Sequence, residues 1–236
     1  MMLPKIEHPI FEFIVPSTQA KVSFRPFLVK EEKILLMAKA SEDPADIFRS
    51  IKQIINNCAI DRNFDIDKLA IFDMEYLFLQ LRAISVNNII NVSYRDNEDD
   101  KVYDFEVDIK NLKVEFPENV DRKIAITPTM GVVMKYPSAS IFNDKGFFQN
   151  ADEAFFELMI KCLDLIYDGD EVYNAQDHSK EELEQFLDGM GIIAFEKMQK
   201  FLENTPKLSY TIKYKNSLGN DREIEMSSLT DFFTLG

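Results

Sequence analysis

Tryptophan is absent from this chain, and glycine, histidine and cysteine are scarce, at seven, two and two residues in 236. Few glycines disfavour folds built on glycine-rich phosphate loops, and neither GxGxxG nor a Walker A pattern occurs. The two histidines, His8 and His178, stand in unlike contexts far apart, and there is no HExxH and no Cys/His cluster with zinc spacing. No metal and no cofactor are therefore expected. Cys58 and Cys162 each fall in an apolar helical pattern; two cysteines cannot frame a secreted scaffold and read as buried thiols in a reducing cytoplasm. No apolar run reaches 18 residues and no signal peptide is visible, so a soluble, unexported protein without a membrane partner is expected. The missing tryptophan also weakens a glycosidase reading, because sugar clefts commonly pair two carboxylates with aromatic platforms. With 41 acidic residues, carboxylate pairs are unavoidable, and a cell-wall hydrolase stays as an outside alternative.

What the chain has is apolar bulk and negative charge. An apolar fraction of 46% with 20 Phe argues for a folded protein long enough to bury a core. Net charge is −14; from residue 146 onward there are 8 Lys/Arg against 18 Asp/Glu, a net of −10. Such a surface repels phosphate backbones, so no nucleic-acid partner is expected; it suits solubility or a basic protein partner. Ten Met and the Phe stripes provide adaptable contacts that either grip a partner helix or pack against one another.

Periodicity divides the chain into an α+β layout. Ile10–Val15 and Lys21–Phe24 read as a hairpin across Pro16–Gln19. Helices follow over Val29–Ala40, from the Asp43-Pro44 cap through Cys58, and from about Asp73, where apolar groups lie nearly all round a central helix. Asn88–Arg95 and Lys101–Asp108 alternate as a second hairpin; Leu112–Phe116, Ile124–Thr127 and Gly131–Tyr136 read as further strands punctuated by Pro117, Pro128 and Pro137. Beyond the loop at Asn143–Gly146 the pattern turns helical. Ala151–Ile166 reads as one helix, Ser179 with Glu182 forms a capping box, and Gly189 and Gly191 break that helix from another running from Ile192 to about Leu202. Leu208–Tyr214 and Arg222–Met226 close the chain as a hairpin, with a terminal turn over Ser228–Phe233. The expected architecture is thus a mixed domain over 1–140, with β-hairpins and three helices, followed by an acidic, mainly helical part over 141–236 with a C-terminal hairpin.

Two acidic stretches invite a metal reading. Counted from Asp96, the sixth and twelfth positions of an EF-hand loop hold Lys101 and Val107 instead of Gly and Glu, so Asp96–Asp100 reads as a mobile acidic tip. Asp168-Gly169-Asp170-Glu171 reads as a helix exit into a short strand, Glu171–Tyr173.

Three stretches carry a likeness. Pro16-Ser17-Thr18 precedes Phe24-Arg25-Pro26-Phe27-Leu28-Val29-Lys30-Glu31-Glu32-Lys33-Ile34-Leu35-Leu36; Ile54-Ile55-Asn56-Asn57-Cys58 follows; then comes Phe72-Asp73-Met74-Glu75-Tyr76-Leu77-Phe78-Leu79-Gln80-Leu81-Arg82-Ala83-Ile84-Ser85. Over roughly residues 3–130 the chain resembles the baseplate hub assembly proteins of T-even-like contractile-tailed phages. The resemblance implies a morphogenesis protein of the host cytoplasm that binds hub or tape-measure proteins without catalysis, either as an assembly factor or as a permanent hub subunit of the virion. It supplies no catalytic residues. Phe24, Arg25, Pro26, Phe27, Lys30, Glu31, Glu32 and Lys33 mark the strand-to-helix joint, and Asp73, Glu75, Tyr76 and Arg82 mark the central helix, as architectural or partner-binding positions. Arg25 is placed to pair with Glu31 or Glu32, while Glu75 and Arg82 are candidate buried charges. Neither the oligomeric state nor the particular partner is specified by these residues.

Overall fold

The computed structural model describes residues 6–40, 44–143 and 151–232. These form two compact units: residues up to 115 together with those from 207 onward, and residues 116–206. Residue 140 falls inside the second. The proposed cap Asp43, the loop residues 144–146 and Phe233 lie outside the described residues.

The first unit begins with an antiparallel hairpin, β1 (Phe11–Ile14) and β2 (Lys21–Phe24), followed by α1 (Val29–Lys39), α2 (Pro44–Cys58) and α3 (Ile71–Ser85). The three- and four-residue apolar spacing in α2 buries Ile51, Ile54, Ile55 and Cys58 completely. Apolar groups nearly all round α3 have the expected result: Met74, Leu77, Phe78, Leu79 and Leu81 are fully buried. Phe24 links the hairpin to the loop after α2, its ring 5.5 Å from that of Phe13 and 5.4 Å from that of Phe64. Strands β3 (Ile89–Arg95) and β4 (Val102–Asp108) pair as the second hairpin, and β5 (Lys113–Glu115) ends this part of the chain.

The second unit contains β6 (Lys123–Ala125), β7 (Met130–Met134), α4 (Ala151–Lys161), β8 (Leu163–Asp168), β9 (Glu171–Asn174), α5 (Lys180–Asp188) and α6 (Ile192–Glu203). Its strands form one antiparallel sheet in the order β6-β7-β8-β9. Val132, Met134, Leu163, Met159, Met198 and Phe201 form the centre of its core. Gly131 of β7 is a position that only glycine fits. A Cβ there would collide with the Tyr167 ring and with the Ile124 carbonyl, both on flanking strands. Gly131→Ala is expected to destabilise the protein by about 1–3 kcal/mol through overpacking, measured as a lowered urea midpoint with an unchanged slope.

After Pro206 the chain returns to the first unit as β10 (Lys207–Lys215), β11 (Asp221–Met226) and the single turn α7 (Leu229–Phe232). Strand β10 lies between β11 and β5, with Leu208 opposite Val114.

The region after residue 140 is therefore not mainly helical, contrary to its periodicity. The segment expected as one helix, Ala151–Ile166, is helical only to Lys161, and Leu163–Asp168 is a strand between β7 and β9. Phe155, Met159, Cys162 and Ile166 satisfy a helical period, but the apolar run from Leu163 fits a buried strand equally well. Pairing of Ile166 with Val132 on one side and Tyr173 on the other decides the matter. The Asp168–Glu171 stretch is a hairpin turn, not a helix exit: Gly169 at its first central position takes φ +59°, which favours glycine.

Candidate functional site

The strand-to-helix joint is built around one ion pair. Pro26 removes a donor just after β2, so the chain leaves the hairpin and turns into α1. This places Arg25 against Glu31 in the first turn of α1. The Arg25 guanidinium donates to both Glu31 oxygens, at 3.2 and 3.0 Å, and to the carbonyls of Pro26 at 2.9 Å and Asn57 at 2.8 Å. Glu31 also accepts from the Leu28 amide at 3.0 Å, so it caps the helix it begins. Its side chain is 0% exposed and that of Arg25 is 14% exposed, which makes this a buried pair. Burial acts to raise the Glu31 pKa, but the hydrogen bonds from Arg25 and Leu28 outweigh it and hold the carboxyl below its ordinary value. Of the two partners proposed for Arg25, Glu31 is the one engaged; Glu32, Lys30 and Lys33 are exposed. Phe27 closes the joint from the other side, its amide donating to Ser85 Oγ at 2.8 Å and its ring 5.6 Å from that of Phe78.

The remaining family positions are not gathered around this joint. Asp73, also 0% exposed, accepts from the Ser17 amide at 2.9 Å, the Ser17 hydroxyl at 2.5 Å and the Ala70 amide at 3.1 Å, tying the first hairpin's turn to the start of α3. Further along α3, Glu75 accepts from the Leu229 amide at 3.3 Å, against α7. Burial pushes the Glu75 carboxyl up to about 7, with that amide opposing and nearby Asp231 adding to the rise. Tyr76 is half-buried and its hydroxyl pKa is raised by burial. Arg82 has a buried Nη1 without a hydrogen-bond partner among the described residues, and burial lowers its pKa.

The tip Asp96–Asp100 is held against the terminal hairpin. Asp96, fully buried, accepts from Tyr214 Oη and from Arg222 Nε; Glu98 accepts from the side-chain amides of Asn216 and Asn220; and Asp99 accepts from Tyr103 Oη at 2.6 Å and from the amide and hydroxyl of Ser217. The Tyr103, Phe105 and Tyr214 rings cluster beside this network, Tyr103 stacked with Phe105 and Tyr214 edge-on to Phe105. The acids thus join two hairpins that lie far apart in sequence. The available signal was that both turns, 96–100 and 216–221, are rich in Asn and Asp.

Outward-facing apolar side chains remain. On α1, Leu36 is 57% and Met37 75% exposed; on α6, Ile192 and Ile193 are 76% and 73% exposed. A cleft of about 430 Å³ between α1 and α2 is apolar along α1 (Ile34, Met37, Ala38) and polar along α2 (Asp46, Arg49, Ser50, Gln53). It is a mixed surface and not the uniformly apolar groove that a helix-gripping protein would be expected to present. The thiols of Cys58 and Cys162 are buried and pushed up to about 11 and 12, a state that disfavours thiolate chemistry. No helix among the described residues is long and apolar enough to cross a membrane, and no three metal-ligating side chains among them are grouped to hold an ion.

No curated protein and no solved structure matches the chain. A family model described as T4 bacteriophage base plate protein does, over residues 8–234, which extends the likeness seen in the first 130 residues through the whole second unit and the returning strands. With the match covering nearly all of its length, the chain belongs to the T4 bacteriophage base plate protein family.

Proposed function

We propose that the protein acts in phage tail morphogenesis at the baseplate hub, binding hub or tape-measure proteins in the host cytoplasm without making or breaking covalent bonds. Membership of a baseplate family supports a role among other baseplate components. The observation that carries the finer reading is the outer face of α1. Leu36 and Met37 stand exposed there beside Lys30 and Lys33, while the ion pair of Arg25 and Glu31 is turned inward. An adaptable Met-bearing face of this kind suits protein contact.

Co-expression with the phage hub and tape-measure proteins, followed by affinity purification through this chain, tests the reading. A stoichiometric complex is expected, weakened by Leu36→Asp with Met37→Asp. Recovery of neither partner, under conditions where all chains are soluble, would count against it. Mass spectrometry of purified particles then distinguishes a resident hub subunit from a factor that leaves before the virion is complete.

A further inference from the structure

Strand β6 is an outer strand of its sheet, so one of its edges is open among the described residues. Its neighbours in register pair inward: the Arg122 carbonyl accepts from Met134 N–H at 2.7 Å, and Ile126 N–H donates to the Met130 carbonyl at 2.9 Å. Hydrogen-bonded positions alternate along an antiparallel ladder, so Lys123 and Ala125 turn their N–H and C=O groups away from β7, toward the open side. The side chain of Lys123 does not block that side. Its ammonium lies 4.5 Å from the centre of the Tyr167 ring on β8, across the sheet, where Gly131 leaves room for it.

A cleft of about 340 Å³ runs beside this edge, with β6 and the loop before it as one wall and Lys197, Lys200 and Phe201 of α6 as the other. An open strand edge beside a cleft is a geometry that accepts an extended chain. Charge identifies the occupant. Residues 116–206 hold 8 Lys/Arg against 17 Asp/Glu. Here, however, Lys197 and Lys200 stand one helical turn apart with Asp121 as the only acid in the lining, and neither lysine is ion-paired among the described residues.

We propose that this cleft binds an extended acidic segment of a partner protein, which adds as a strand to the open edge of β6 while its carboxylates meet Lys197 and Lys200. Main-chain bonds to Lys123 and Ala125 hold the segment, and the lysines select for acidic side chains. The site goes beyond the proposed hub role and rests on it only in requiring a protein partner.

Fluorescence anisotropy on the full-length protein tests this with a labelled peptide of alternating valine and glutamate. Saturable binding is expected, weakened about tenfold or more by Lys197→Glu with Lys200→Glu, both on an exposed helix surface. A peptide of the same sequence, N-methylated at alternate amides, keeps the charge but cannot donate along one edge, and is expected not to bind. The same holds for a valine–lysine peptide. No saturable binding of the valine–glutamate peptide, unchanged binding by the charge-reversed variant or the N-methylated peptide, or tighter binding of a single-stranded oligonucleotide would each overturn the proposal. Co-purification of hub and tape-measure chains is a separate readout, so failure here leaves that result standing.

Discussion

Replacing Glu31 with alanine is expected to cost the protein about 3–5 kcal/mol of stability, the range for removing one member of a buried ion pair. The loss has two sources. The Arg25 guanidinium keeps the Pro26 and Asn57 carbonyls and the Cys58 sulfur but would stay desolvated without its counter-charge, and the Leu28 amide loses its acceptor. Replacing the exposed neighbour Glu32 is expected to change stability by no more than about 0.5 kcal/mol, although it sits one residue away in the same charged run. Urea unfolding of the two variants beside the native chain makes the comparison; equal effects would show that the pair does not organise the joint. The pH dependence has a definite sign. Because the folded-state pKa of Glu31 is lowered, its contribution is present above the unfolded carboxylate pKa and disappears as pH falls through the folded value.

Glu75→Gln should act in the opposite sense and stabilise the protein above neutrality. The folded Glu75 carboxyl is raised from 4.5 to about 7. Between those values the folded state holds a proton that the unfolded state has released, so stability falls as pH rises across the window and levels off above it. The fall amounts to roughly 3 kcal/mol at most. Glutamine keeps an oxygen to accept from Leu229 and carries no charge to oppose Asp231, so the variant escapes the fall. Denaturation curves at pH 8 should show the variant more stable by up to about 3 kcal/mol, and the difference should narrow toward pH 5.5, which remains above the pI of about 4.6. A difference independent of pH would show that the carboxyl is not held near neutrality.

Local chemistry made much of the fold legible. Pro26 and the early acids of α1 marked the joint, alternation marked both hairpins of the first 108 residues, and the Ser179–Glu182 capping box closes as expected, with both reciprocal bonds in place at 2.8 and 3.2 Å. What escaped was settled by partners distant in sequence. Nothing local to Leu163–Asp168 distinguishes a helix end from a central strand; β7, some thirty residues earlier, decides it. Asp96 and Asp99 look like free acids until Tyr214, Ser217 and Arg222 are placed beside them. Likewise the pairing of Arg25 with Glu31 followed from their closeness along the chain, whereas the contact of Glu75 with Leu229 did not.

The pairing of β5 with β10 has a consequence for biosynthesis. Lys207 lies opposite Glu115, so the ninety-one residues between them leave and re-enter at adjacent positions on one ladder. During translation the earlier unit must wait, with β5 lacking a neighbour and the Asp96 turn lacking its tyrosine, until β10 has been made. The inserted unit can close on its own as soon as its final helix emerges. The order of maturation is therefore the reverse of the order of synthesis: the portion made first is the portion finished last.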